Sequence, residues 1–305
     1  MVKKEKIIVN SMLFSASLLY GSSYALRKLS LLYVGAFFFN AWRFASSFIV
    51  LLAAYLINER IQKNRVLPDP EIALMPFRWQ VRGGFFIGLA LGLAVNIQQL
   101  GLITSNAGKC GFITALYIVV TPMISCFILK KRIPTRIWVG AGIAVIGLFF
   151  ISMGSSFNIV IGDMLFLLTA VFGAIHIILI DVYVTRSNPL LLLTMQMITI
   201  STMSTVLSLI FEHGNTLEGL SNVLLPVLYT GVITVAIGNL LQFVAQKKAS
   251  PSVTAIMISL ESVFAALFAA IIISERMNAP QISGCALIFA AIIISQIEKK
   301  PKAVE

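Results

Sequence analysis

The sequence predicts an all-α integral membrane protein of ten transmembrane helices, built as two inverted five-helix repeats with both termini cytoplasmic. Three observations carry this. Ten apolar stretches, each about long enough to cross a bilayer, fill most of the 305 residues. Basic residues gather in every second gap between them. The two halves repeat the same small motifs in the same order.

A hydrocarbon core about 30 Å thick takes roughly 20 helical residues to span. Lipid leaves a chain only the helix or the closed barrel as a way to satisfy its backbone. These stretches run without the polar–apolar alternation of a barrel strand, so helices are expected. Only 11% of the residues are charged and 58% are hydrophobic, with mean hydropathy +0.95. A soluble domain carries about 25% charged residues. The length is used up by spans and short loops.

In chain order the expected spans are 7–26, 36–58, 81–103, 107–129, 136–153, 161–180, 189–211, 223–244, 251–273 and 279–297. The first follows Lys3, Lys4 and Lys6, a start that resembles a signal peptide. No small-residue cleavage site follows, and Tyr24, Arg27 and Lys28 stand where one would be needed, so it is read as a retained span. The second carries Arg43, and the loop after it, with Pro68, Pro70 and Pro76, is the longest connection. Along the third, Gly84, Gly88 and Gly92 form a small-residue stripe suited to close helix packing. The fourth ends at the basic cluster Lys130–Arg132, an orientation signal that could also touch anionic headgroups.

With the N-terminus placed in the cytoplasm, 18 Lys and Arg fall in the gaps on that side or at the span edges beside them. Arg27, Lys28, Lys109 and Arg276 fall on the other, and Arg43 lies inside a span. This is the positive-inside bias that orients helical membrane proteins. The net charge of +11 is therefore topological, and a nucleic-acid partner is not expected. Cys110, Cys126 and Cys285 have no paired spacing and no nearby His, which supports neither disulfide nor metal site.

The halves, 1–156 and 157–305, align span by span. Met12-Leu13-Phe14…Gly21 matches Met164-Leu165-Phe166…Gly173, which sets Tyr24 opposite His176. Asn96…Gln99 in the third span matches Asn239…Gln242 in the eighth. Thr114-Ala115 matches Thr254-Ala255, setting Thr121 opposite Glu261, and Gly140 matches Gly284. Because five is odd, the second copy enters the membrane from the other side. Inverted repeats of this kind recur among secondary transporters, with the site near the midplane between them.

Polar residues inside spans are the candidate site. Glu261 sits near the middle of the ninth span, where a carboxylate costs about 2.5–3.5 kcal/mol on insertion scales. It either binds a cationic group or carries a proton, or it ties helices together. Arg43 either anchors a carboxylate or phosphate with its paired donors or snorkels to the outer interface. His176 is a proton relay or a packing residue. Asn96, Gln99, Asn239 and Gln242 line a cavity or join helices. Tyr117 and Thr121 share a face with Thr114, and Tyr20 and Tyr24 stand one turn apart and border the same path.

The run QQLGLITSNAGKCGFITALYIVVTP at Gln98–Pro122 and the run SLESVFAALFAAIIISERMNAPQISGCALIFAA at 259–291 together resemble the drug/metabolite transporter superfamily, specifically its EamA-type ten-helix permeases. Arg43 in its Trp42–Phe44 context, Pro122, Ser274–Arg276 and Gly284 match the same group. Ser262 departs from it, standing where such proteins often have proline. The resemblance implies a permease for amino acids, other metabolites or drugs, and gives Glu275 and Arg276 a structural role.

No Walker pattern, catalytic acid pair, zinc helix or Ser/His/Asp set stands out, so no enzyme and no cofactor is expected. The reading is a secondary-type transporter in a bacterial cell membrane, working by alternating access. One cation, one anion and several amides suit a small zwitterion such as an amino acid, with proton coupling left open. A lipid translocator, an embedded enzyme and a channel are the rivals. Partners beyond the solute, protons and membrane lipids are not indicated, nor is an oligomeric state.

Overall fold

The computed structural model describes residues 3–63, 75–105, 107–127, 130, 132–152, 160–214, 217–273 and 279–296. Among these the chain is helical and contains no strand. The helices of the first half are α1 (Lys3–Ser30), α2 (Ala36–Lys63), α3 (Phe77–Thr104), α4 (Ala107–Thr114), α5 (Tyr117–Phe127) and α6 (Thr135–Ser152). The second half begins with α7 (Ile161–Val184), α8 (Pro189–Phe211), α9 (Leu217–Asn222) and α10 (Leu224–Leu228). It continues through a π-helix, π1 (Tyr229–Ile237), to α11 (Gly238–Gln246), α12 (Pro251–Ile258), α13 (Leu260–Ile273) and α14 (Ala279–Gln296).

Within the described residues each of the ten apolar stretches is therefore helical. Eight segments there are long and apolar enough to cross a membrane, and Thr135–Phe150 is apolar but shorter. α1 has the length, but its serines and Asn10 lower its hydropathy; Ser17, Ser22 and Ser23 are buried against other helices. The burial pattern is that of a protein dissolved in lipid: Leu209 is 75% exposed, whereas Gln196 and Gln99 are 0% exposed. The chain is a multi-pass membrane protein.

Three spans are not continuous α-helices. The fourth breaks at Ala115-Leu116, between α4 and α5, and the ninth breaks at Ser259, between α12 and α13. The break precedes Ser262, whose hydroxyl instead donates to the Gly111 carbonyl at 2.8 Å and ties α13 to α4. The eighth span changes to the wider i→i+5 pattern through π1. Residues 64–74, with Pro68 and Pro70, and Ser274–Arg276 lie outside the described residues.

Helices of the two halves interleave. The glycine stripe of α3 faces α8: a Cβ at Gly88 would stand 2.9 Å from the Gln196 carbonyl oxygen and 2.8 Å from Thr199 Cβ. On another face of α3, Gly101 lies against Phe166 and Gly162 of α7. α6 packs on α14, where a Cβ at Gly147 would meet the Gly284 carbonyl at 2.8 Å. Lipid supplies no hydrophobic drive for association, so close packing of this kind and interhelical hydrogen bonds hold the bundle together.

The helix ends sort into two groups. At one end Glu212 accepts hydrogen bonds from the Phe37 and Phe38 backbone N–H groups, both at 2.8 Å, where the α2 N-terminus favours an anion. Ser105 donates to Asp163 at 2.6 Å at the same end. At the other end Lys248 pairs with Glu5 at 2.6 Å, Lys6 donates to the Gln296 carbonyl at 2.9 Å, and the Asn188 N–H donates to Gln80 at 2.9 Å.

Candidate substrate cavity

The interleaved helices leave a cavity of about 120 Å³ in the middle of the bundle. Seven of the ten stretches contribute to its wall. Leu91, Ala94, Val95, Ile177, Val235 and Ile258 supply apolar wall. Between them polar side chains from both halves of the chain converge on the space, as they do in small-solute sites.

Glu261 is the second residue of α13 and is 7% exposed. Tyr117 is the first residue of α5, and its hydroxyl donates to Glu261 Oε1 at 3.0 Å. The breaks in the fourth and ninth spans thus deliver these two side chains to each other. Gly21 of α1 makes room for them: a Cβ there would stand 2.6 Å from the Glu261 carbonyl oxygen and 2.5 Å from Phe264 Cβ. Tyr24 adjoins the same carboxylate.

Arg43 lines another part of the wall, 5% exposed, with its guanidinium 5.2 Å from the centre of the Phe44 ring. Its Nε and one terminal nitrogen have no hydrogen-bond partner among the described residues. Gly231 of π1 lets the eighth span press against the Arg43 carbonyl, and the Ser47 hydroxyl donates to the Gly231 carbonyl at 2.5 Å. Among the described residues, Arg43 and Glu261 form no ion pair with each other.

A second guanidinium shares the cavity. Arg27 is 3% exposed and donates from Nε and one terminal nitrogen to Gln99 Oε1, at 3.0 and 2.8 Å. Its other terminal nitrogen donates to Gln98 Oε1 at 2.7 Å, and Gln98 donates on to Thr114 Oγ1 at 3.1 Å. Lys28, the next residue, donates to the Leu102 and Ser105 carbonyls. These bonds fasten the end of α1 to the end of α3.

Away from Arg27 an amide file leads out of the cavity. The Tyr20 hydroxyl donates to Gln242 at 2.9 Å, Gln242 donates to Gln246 at 3.0 Å, and Gln246 donates to the Ile177 carbonyl at 3.0 Å. Asn239 donates to the Val235 carbonyl at 2.9 Å, as Asn96 does to Gly92 at 2.8 Å. His176 lines the wall, and its Nε2 has no partner among the described residues.

Of the residues singled out from sequence, Tyr20, Tyr24, Arg43 and Tyr117 line this cavity, as do His176, Asn239, Gln242 and Glu261. Three do not. Asn96 accepts from Asn40 at 3.2 Å and from Ser204 at 3.0 Å, joining α2, α3 and α8. Gln99 is held by Arg27, and Thr121 is fully buried in α5 with its hydroxyl unpartnered. Arg27, Gln98, Ser23 and Thr169 are wall residues that the sequence reading passed over. A signal existed for Arg27: Tyr20, Tyr24 and Arg27 are spaced i, i+4, i+7, one polar stripe on one helix face. Among the described residues no group of three or more His, Cys, Asp or Glu is placed to hold a metal.

The profile of the EamA-like transporter family matches residues 7–153 and again residues 160–296. An uncharacterized transporter of Archaeoglobus fulgidus is 32% identical over 284 residues, covering 91% of this chain and 82% of that one. A protein of known crystal structure superposes with TM-score 0.74 over 94% of this chain and 96% of its own, at 18% identity, which shows a shared fold.

Proposed function

Since this chain belongs to the EamA-like transporter family, we propose that it is a secondary-type transporter moving a small charged metabolite across the cell membrane by alternating access. The observation that carries the proposal is the buried cavity. Arg43 lines it with unused donors, and elsewhere in the same wall Glu261 is held by Tyr117. The carboxylate-bearing metabolites, amino acids and related zwitterions included, are the cargo class that such a pair recognises.

Ten membrane helices as two inverted repeats, 1–156 and 157–305, fit this reading. The family profile matches twice, once in each half. The helix ends that the charge count assigns to one side are also the ends that touch: Lys248 with Glu5, and Asn188 with Gln80. Both termini then face the cytoplasm, in a bacterial inner membrane. The broken fourth and ninth spans meet at the cavity, as discontinuous helices do where a carrier binds its cargo near the midplane. Transport needs no catalytic group or cofactor. Glu261 serves as the proton site when transport is coupled, with Tyr117 orienting its carboxylate.

Counterflow in proteoliposomes tests this. A labelled panel of amino acids and other metabolites is offered to wild type and Glu261→Gln, with and without a pH gradient. Saturable counterflow is expected, driven uphill by the gradient in wild type alone. Gradient-indifferent counterflow would reduce Glu261 to recognition. No counterflow of any solute by well-folded protein would refute the proposal.

A further inference from the structure

From the balance of charge in the cavity we infer that the cargo carries net negative charge and that it and a proton bind cooperatively. The inference rests on the transporter reading and narrows its substrate class. Two guanidiniums, Arg27 and Arg43, and one carboxylate, Glu261, line the same cavity, and all three are buried. Glu261 offsets one of the two positive charges. Arg27 is met by the amide oxygens of Gln98 and Gln99. Among the described residues Arg43 has neither a counter-ion nor an acceptor at Nε and one terminal nitrogen. A buried cation without compensation is costly, and the cost is removed by an anion in the space beside it. A zwitterion brings no net charge and leaves the excess in place. A small carboxylate neutralises it, accepting from the free donors of Arg43 while its apolar body lies against Leu91, Val95 and Val235.

Glu261 then supplies the coupling. Its surroundings are Tyr24, Tyr20 and Arg27 on α1, Cys110 on α4 and Tyr117 on α5, with Arg43 on α2 farther along the wall. The phenols and the thiol are uncharged near neutral pH, since their ordinary values are about 10 and 8.5. Among the described residues α6, α12 and α14, which also pack against α13, bring it no charged group. With the His176 imidazole on the same wall neutral in both states, protonating Glu261 raises the net charge carried by Arg27, Arg43 and Glu261 from one to two positive charges, and the attraction for an anion rises with it. By reciprocity the anion raises the affinity for the proton by the same factor. Anion and proton are then carried together, and anion affinity increases as pH falls.

The test uses protein in nanodiscs and probes that differ only in charge. For each of the alanine, leucine and phenylalanine skeletons, three compounds are compared: the zwitterionic amino acid, its 2-oxo acid and its decarboxylated amine. Expected is binding of at least one 2-oxo acid about tenfold or more tighter than its amino acid and amine, strengthening from pH 8 to pH 6. Arg43→Gln loses about tenfold or more of that affinity, and Arg43→Lys, which keeps the charge, recovers part of it. Glu261→Gln binds at pH 8 as wild type does at pH 6, with a flat profile between. Thermal unfolding and gel filtration establish that each variant is folded. Tighter binding of an amino acid or amine, indifference of the anion to Arg43, or no binding of any of the three anions overturns the inference. Counterflow of zwitterions without anion binding would sink it and leave the transporter reading standing. Absence of both would sink the two together.

Discussion

Gly21→Ala is the sharpest structural test of how the carboxylate is positioned. The added Cβ would stand 2.6 Å from the Glu261 carbonyl oxygen, 2.5 Å from Phe264 Cβ and 2.9 Å from the Ala265 nitrogen. Two of these are backbone atoms, which cannot swing aside. Restoring an ordinary contact of about 3.5 Å requires α1 and α13 to part by about 0.9 Å at this level. A shift of that size in the wrong direction takes the Tyr117–Glu261 bond, now 3.0 Å, out of hydrogen-bonding range. Overpacking costs about 1–3 kcal/mol against a helix-propensity gain of up to about 1 kcal/mol, so Gly21→Ala falls about 1–3 kcal/mol below a helical Gly→Ala change that meets no neighbour. Thermal unfolding in detergent reads this as a drop of a few degrees, with reduced counterflow from the protein that remains folded. Gly142→Ala on α6 is the control, because nothing lies within 4 Å of a Cβ there; it is neutral or stabilises by up to about 1 kcal/mol. Equal stability of the two variants would refute the claim that Gly21 sets the α1–α13 approach.

Other positions give separate outcomes. Arg27→Met strips Gln98 and Gln99 of their shared donor, and two buried amide oxygens left unmet cost about 1–3 kcal/mol each, read as a lowered unfolding temperature. Gly88→Val drives a branched side chain into the Gln196 carbonyl and Thr199, so the α3–α8 seam opens and purified yield and unfolding temperature both fall. Lys248→Ala removes an ion pair whose side chains are 52% and 41% exposed; its effect stays within about 0–1 kcal/mol and fades with added salt.

Much of the helical layout is written in two properties that lipid makes decisive, apolar length and basic flanks. What those properties cannot carry is the backbone pattern inside a span. The turn at Ala115-Leu116, the break at Ser259 and the i→i+5 stretch at Tyr229–Ile237 have the same apolar composition as the continuous helices around them. The cavity divides in the same way. Arg43 and Glu261 stand out because charge is expensive at membrane depth. Arg27 is hidden by a boundary: the apolar run of the first span ends at residue 26, which puts Arg27 among the loop charges, whereas α1 runs on to Ser30. Internal symmetry located Asn96 and Thr121 along their helices but not around them. Asn96 turns to Asn40 and Ser204, and Thr121 turns away from the cavity that its counterpart Glu261 enters.

The π-helix in the eighth span has a consequence for length. Each π turn takes up more chain than an α turn, so Tyr229–Ile237 holds slack that the neighbouring α10 and α11 lack. Removing one residue within that stretch lets it tighten toward an α-helix while Asn239 and Gln242 keep their heading into the cavity. Removing one residue just beyond it, at Leu240, leaves Asn239 in place but turns Gln242 by about 100° and parts it from Tyr20. The span is tolerant of a changed residue count over those nine positions and unforgiving on either side of them.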